Sequence, residues 1–225
     1  MKNAAALNTK RKYLPPVYTK GEEIFNAVSH IVGGAFGLIA LIVLLIYTYP
    51  NPSYMWAVTA FGLGIIILYT MSALYHFLPS GGGKKVFRIF DHCTIFLLIA
   101  GTYTPFCVIA LEGNVLGLII LIIEWSLAVI GITGNAIAMN NKFVKALSMA
   151  SYCVMGWLIL IAFVPLMQSI SAASFWLLLL GGIAYTFGIL FYALGKKVKY
   201  FHSVWHLFDI LGTVLQFASI LLILL

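Results

Sequence analysis

In the stretch HSVWH, His202 and His206 stand four residues apart, a spacing that puts both imidazoles on one face of a helix, one turn above the other. Both rings can therefore direct nitrogens at a common point. A third nitrogen from another segment would nearly close a tetrahedron, and His76, the last residue of SALYH, is the natural candidate. Three neutral imidazoles with one open position are the usual arrangement of a catalytic zinc site. Ser72 precedes His76 by four residues and shares its face, where its hydroxyl could hydrogen-bond a ligand or a bound water. Asp91 enters the next apolar segment and could accept a proton from metal-bound water. The chemistry on offer is metal-assisted hydrolysis. The competing reading is a structural polar cluster that holds no metal.

The segments that must position these residues are set by composition. The 225 residues are 63% hydrophobic and 8% charged, against about 45–50% apolar and about 25% charged in soluble domains. This is the composition of a membrane protein. Apolar runs fall at about 27–49, 54–78, 91–111, 115–138, 146–166, 173–194 and 203–225, each long enough to cross the roughly 30 Å of hydrocarbon. Turn chemistry separates them: YPNPS at 49–53, PSGGGKK at 79–85, EGN at 112–114, MNNK at 139–142 and LGKK at 194–197. The expected fold is an all-α integral membrane protein of seven transmembrane helices. Residues 1–20 form a basic tail, without the apolar core of a cleavable signal peptide, and 21–225 form the transmembrane domain. No repeat, heptad or pair of interrupted helices stands out.

Orientation follows from the basic residues. Lys2, Lys10, Arg11, Lys12 and Lys20 lie in the tail, Lys84, Lys85 and Arg88 before the third span, Lys142 and Lys145 before the fifth, and Lys196, Lys197 and Lys199 before the seventh. All 13 fall on one side and the loops near 50, 112 and 168 hold none, so the N-terminus is expected in the cytosol and the C-terminus outside. The protein is expected in the cell membrane, plasma or inner, as a multi-pass chain. Its net charge of +7 then describes a collar facing anionic lipid headgroups, and does not argue for nucleic acid. With this topology Ser72, Tyr75 and His76 end the second span, Asp91 and His92 begin the third, and His202 and His206 begin the seventh, all at one depth. Ionisable groups inside a bilayer are costly, which makes them functional candidates.

The same residues carry a resemblance. EIFNAVSH at 23–30, SALYH at 72–76, DHCTIFLLIAGTYTPF at 91–106 and HSVWH at 202–206, in that order on seven spans, resemble the hemolysin III branch of the progestin and adipoQ receptor family, which includes the adiponectin receptors and is distantly similar to alkaline ceramidases. The resemblance covers nearly the whole chain after residue 20. It implies zinc held by His76, His202 and His206, with Asp91 contacting the metal-bound water and Ser72 supporting the site from the second helix. Glu23, Asn26 and His30 match the family's opening motif and share one face of the first span, where they read as a buried network more than as catalytic groups.

Other polar residues are outside that pattern. His92 is turned about a quarter circle from Asp91 and is expected between helices or behind the site. Pro105 should kink the third span and free a carbonyl near Gly101. Asp209 continues a stripe of His202, His206, Thr213 and Gln216 down one face, read as the packed interior of the bundle with a wet crevice as the alternative. Glu124, near mid-membrane, must be neutral or paired. Cys93, Cys107 and Cys153 sit in apolar stretches without CxxC spacing and are expected as buried packing residues.

The leading functional expectation is a zinc-dependent intramembrane hydrolase of a lipid-like amide or ester in the cytosolic leaflet, with Asp91 and Ser72 as its catalytic pair. Membrane lipids are the expected surroundings and a lipid-like small molecule the substrate. The alternatives are a lipid sensor or regulator with structural zinc, a hemolysin-type pore, and an ion or proton conductor resting on Asp209 and Glu124. A secreted toxin is disfavoured because the chain shows no charged pore ring or amphipathic inserting segment.

Overall fold

The computed structural model describes residues 18–195 and 197–225. Lys2, Lys10, Arg11, Lys12, Lys196 and nearly all of the expected tail lie outside the described residues. Eight α-helices follow in order: α1 Lys20–Thr48, α2 Pro52–Phe77, α3 Gly82–Pro105, α4 Val115–Ala138, α5 Lys142–Trp157, α6 Phe163–Ser169, α7 Ala172–Leu194 and α8 Phe201–Leu224. A π turn, Phe106–Ala110, prolongs α3, and a 3-10 segment, Leu158–Ala162, joins α5 to α6. Seven stretches are therefore long and apolar enough to span a membrane. No strand occurs among the described residues.

The helices reach beyond the apolar runs at one end. α3 begins at Gly82, although its apolar run starts near 91, and carries Lys84, Lys85 and Arg88 in its first turns. Hydropathy marks the hydrocarbon crossing, whereas backbone hydrogen bonds continue to favour helix through the headgroup zone. Polar side chains start the helices cleanly. Thr19 and Glu22 form a reciprocal capping box on α1, and Asn51, Asn114, Asn141 and Ser171 each accept a hydrogen bond from a first-turn N–H of the helix that follows.

Two prolines interrupt the interior. Pro105 closes α3 and one π turn follows, a local readjustment by which a membrane helix absorbs a missing N–H. Pro165 cannot donate to the Ile161 carbonyl, and the helix tightens to 3-10 geometry just before it. Gly101 lies where α3 and α2 come closest: a Cβ there would stand 2.6 Å from the Ala60 carbonyl oxygen. Small residues at such crossings let membrane helices pack backbone to backbone.

The third span is the most enclosed, 72% buried over its most apolar window, against 22% for the fourth and sixth. It runs through the interior, and the others turn apolar faces to lipid, as Ile31, Val32, Ile39, Ile42 and Ile46 do along α1. α1 packs between α2 and α8, α2 against α3, α3 against α4, and α7 against α8. At one end of the bundle Glu22 accepts the Tyr200 N–H at 2.7 Å, Glu23 pairs with Lys84 at 2.8 Å, and Asn135 bonds both Ser148 and the His92 carbonyl. These contacts bring the starts of α1, α3, α5 and α8 to one level, so the described basic residues share an end. At the opposite end Tyr54 donates to Glu112 at 2.7 Å.

Candidate metal centre

α2 delivers His76 in its last turn and α8 delivers His202 and His206 in its first two. All three rings are buried. His202 Nε2 lies 3.4 Å from His76 Nε2 and 3.3 Å from His206 Nε2, and one ligand atom from each ring falls within 4.8 Å of the others. Zinc–nitrogen bonds of about 2.0–2.1 Å at tetrahedral angles place ligand nitrogens about 3.3–3.4 Å apart. The two measured separations match that edge, so the donor set fits a metal of this size. Neutral rings in contact also lack the protons to hydrogen-bond every nitrogen of such a trio.

Each ring is held from behind. His76 Nδ1 donates to Glu23 at 2.7 Å, leaving Nε2 as the acceptor nitrogen. Lys84 pairs with the other Glu23 oxygen and donates to the carbonyls of His76 and Leu78 at 3.4 and 3.1 Å. His206 Nδ1 lies 3.5 Å from Ser29 Oγ, and its ring stacks on His30 with centroids 3.7 Å apart. The Tyr18 ring stacks on His202 at 4.6 Å and 15° and leans on His76. Burial pushes the Tyr18 hydroxyl far above its ordinary pKa, so it stays protonated.

Ser72 in α2 and Asp91 in α3 are both buried, and both carry an atom without a hydrogen-bond partner among the described residues, Ser72 Oγ and Asp91 Oδ1. Asp91 interacts electrostatically with Tyr18, Tyr75 and Tyr192. Orphaned buried oxygens are rare in folded proteins and point to a missing partner.

The remaining expectations divide. Asn26 accepts the Ser203 hydroxyl at 2.6 Å and ties α1 to α8, as the network reading requires. Glu23 instead touches His76 directly, a role not inferred from its position. His92 lies between helices: its carbonyl accepts from Tyr152 at 2.7 Å and from Asn135. Every member of the stripe from His202 to Gln216 is buried, and Asp209 and Gln216 also line a cavity of about 110 Å³ between α3, α5, α7 and α8. Asp209 lies 3.9 Å from His30. Glu124 is fully buried, and neither carboxyl oxygen has a hydrogen-bond partner among the described residues. Cys93 and Cys107 are buried, but Cys153 is exposed, because an apolar stretch of membrane helix has a lipid face as well as a core face.

Sequence reasoning missed Lys84 and Tyr18. Lys84 was counted with the basic collar, and nothing in its spacing marks it as the residue that folds back onto Glu23. Tyr18 precedes the first apolar run and belongs to no helical face.

Seven spans closing around a buried three-histidine cluster at one end define a multi-pass membrane protein with a site that could hold a metal ion. The profile of the family described as "Haemolysin-III related" matches residues 18–217. Hemolysin-3 of Bacillus cereus is 41% identical over 202 residues, 89% of this chain and 90% of that protein. The Hemolysin-3 homolog of Bacillus subtilis (strain 168) is 41% identical over 208 residues, 91% and 95% of the two chains. The chain belongs to the haemolysin-III related family and is a multi-pass protein of the cell membrane.

Proposed function

We propose that the protein is a zinc-dependent hydrolase of a lipid-like amide or ester, working in the cytosolic leaflet with its N-terminus in the cytosol, its C-terminus outside and one transmembrane domain after residue 20. The observation that carries this reading is the convergence of three buried imidazole nitrogens; Asp91 Oδ1 and Ser72 Oγ, buried and without a hydrogen-bond partner among the described residues, support it. His76, His202 and His206 would hold the ion. Zinc supplies Lewis acidity and nucleophilic hydroxide at neutral pH, and an all-imidazole set suits it. Asp91 accepts the proton released during attack and returns it to the leaving group. Ser72 orients the reacting group through its unspent hydroxyl. Tyr18 shields the cluster from the aqueous end. The cavity beside the cluster, walled by Trp157, Tyr185, Tyr192 and Trp205, supports an apolar substrate.

Asp91→Ala tests the assignment on detergent-purified protein offered lipid amides and esters. Loss of turnover with metal retained is expected; full turnover in this variant would remove Asp91 from the mechanism. A second reading, a conductor, draws on the placement of Asp209 beside both His30 and the cavity. In that case Asp209→Asn abolishes conductance in proteoliposomes while Asp91→Ala spares it. A lipid sensor with structural zinc keeps its output in Asp91→Ala and shows no turnover.

A further inference from the structure

Glu23 has two partners at once. One carboxylate oxygen takes the His76 Nδ1–H at 2.7 Å and the other takes the Lys84 ammonium at 2.8 Å. Neither contact is incidental to the fold. Lys84 is buried to 9% exposure although it is a lysine in the first turn of α3, and its ammonium spends its remaining protons on the His76 and Leu78 carbonyls. Those carbonyls belong to the end of α2, where intrahelical donors run out. Its position 5.0 Å above the Tyr75 ring adds a cation–π contact. Lys84 thus binds the end of α2 and the start of α1 from a third helix.

An imidazole can present only one bare nitrogen when neutral, and the proton sits where an acceptor holds it. For His76 the acceptor is Glu23, on the side facing away from His202. The bare nitrogen is therefore Nε2, the atom 3.4 Å from His202 Nε2. A carboxylate behind a metal-binding histidine fixes the ring and raises its basicity, and loss of such a partner costs about 10–100-fold in metal affinity. The Glu23 side chain is 20% exposed, and the charge that needs a partner is the more deeply buried Lys84 ammonium. Glu23 supplies it.

We infer that Glu23, held by Lys84, is a positioning residue that sets the tautomer of His76 and thereby the metal affinity of the three-histidine cluster. The inference rests on reading that cluster as a metal site.

The test compares wild type with Glu23→Gln and with the double variant Glu23→Leu/Lys84→Met, which removes carboxylate and ammonium together and leaves no buried charge to prevent folding. Full-length protein in detergent is titrated with zinc against a chelating competitor, and the metal-free proteins, with 15N-labelled histidine, report the His76 tautomer. Zinc binding about 10–100-fold weaker in both variants, with wild-type His76 protonated at Nδ1 and the double variant not, is the expected result. Wild-type affinity in both variants together with an unchanged tautomer overturns the inference. Should wild type bind no zinc, the metal reading fails on its own, and the metal-free tautomer still decides whether Glu23 positions His76.

Discussion

Two buried hydroxyls on facing helices separate a site role from a structural one. Ser72 Oγ has no hydrogen-bond partner among the described residues, whereas Ser203 Oγ donates to Asn26 at 2.6 Å. Ser72→Ala should therefore leave thermal stability within about 0.5 kcal/mol of wild type, since no hydrogen bond is lost, while lowering lipid turnover. Ser203→Ala should cost about 1 kcal/mol, the scale of an interhelical hydrogen bond in a membrane, read as a lower midpoint in denaturant. Glu124→Leu should stabilise the protein by about 1 kcal/mol or more, because it deletes a buried carboxyl whose oxygens are both unbonded; a lower melting temperature would show that the carboxyl has a partner. Of the candidate site, the clustering of the histidine trio was legible from type, spacing and depth. The work of Glu23, Lys84 and Tyr18 was not, because it depends on which side chains meet across α1, α2, α3 and α8, and no periodicity along one helix encodes that.

Among the helices, long apolar runs separated by Pro, Gly and Asn turns announced seven spans. Their ends were less legible, since hydropathy stops at the hydrocarbon boundary and α3 continues through Lys84, Lys85 and Arg88. Interior proline was legible in kind but not in outcome: the π turn after Pro105 and the 3-10 segment before Pro165 are adjustments set by neighbouring helices. The tight crossing at Gly101 depends on tertiary contact and was likewise invisible. Gly101→Val should drive α2 and α3 apart, because even a Cβ would meet the Ala60 carbonyl at 2.6 Å. Overpacking of this kind costs about 1–3 kcal/mol or more, measurable as a fall in melting temperature and in monodisperse yield. Ile31→Val, on the lipid face of α1, should change neither.

For the whole molecule, the described basic residues share one end of the bundle and the histidine cluster lies at that same end. The orientation proposed from the bias of basic residues toward the cytosol would put the site at the inner leaflet. A single cysteine at residue 51 in an otherwise cysteine-free protein should then react with an impermeant thiol reagent in intact cells, and one at residue 83 should not. A metal held by the three histidines would also bind α2 to α8 across the bundle, so stripping zinc with a chelator should lower the melting temperature, and added zinc should raise it with concentration as ligand linkage requires. The central claim is that His76, His202 and His206 hold a metal ion. Metal content of the purified wild-type protein beside His206→Ala tests it most directly. About one zinc per chain in wild type, lost in a variant that still folds, is the predicted result; a well-folded wild type without metal after purification in zinc-containing buffer would contradict it.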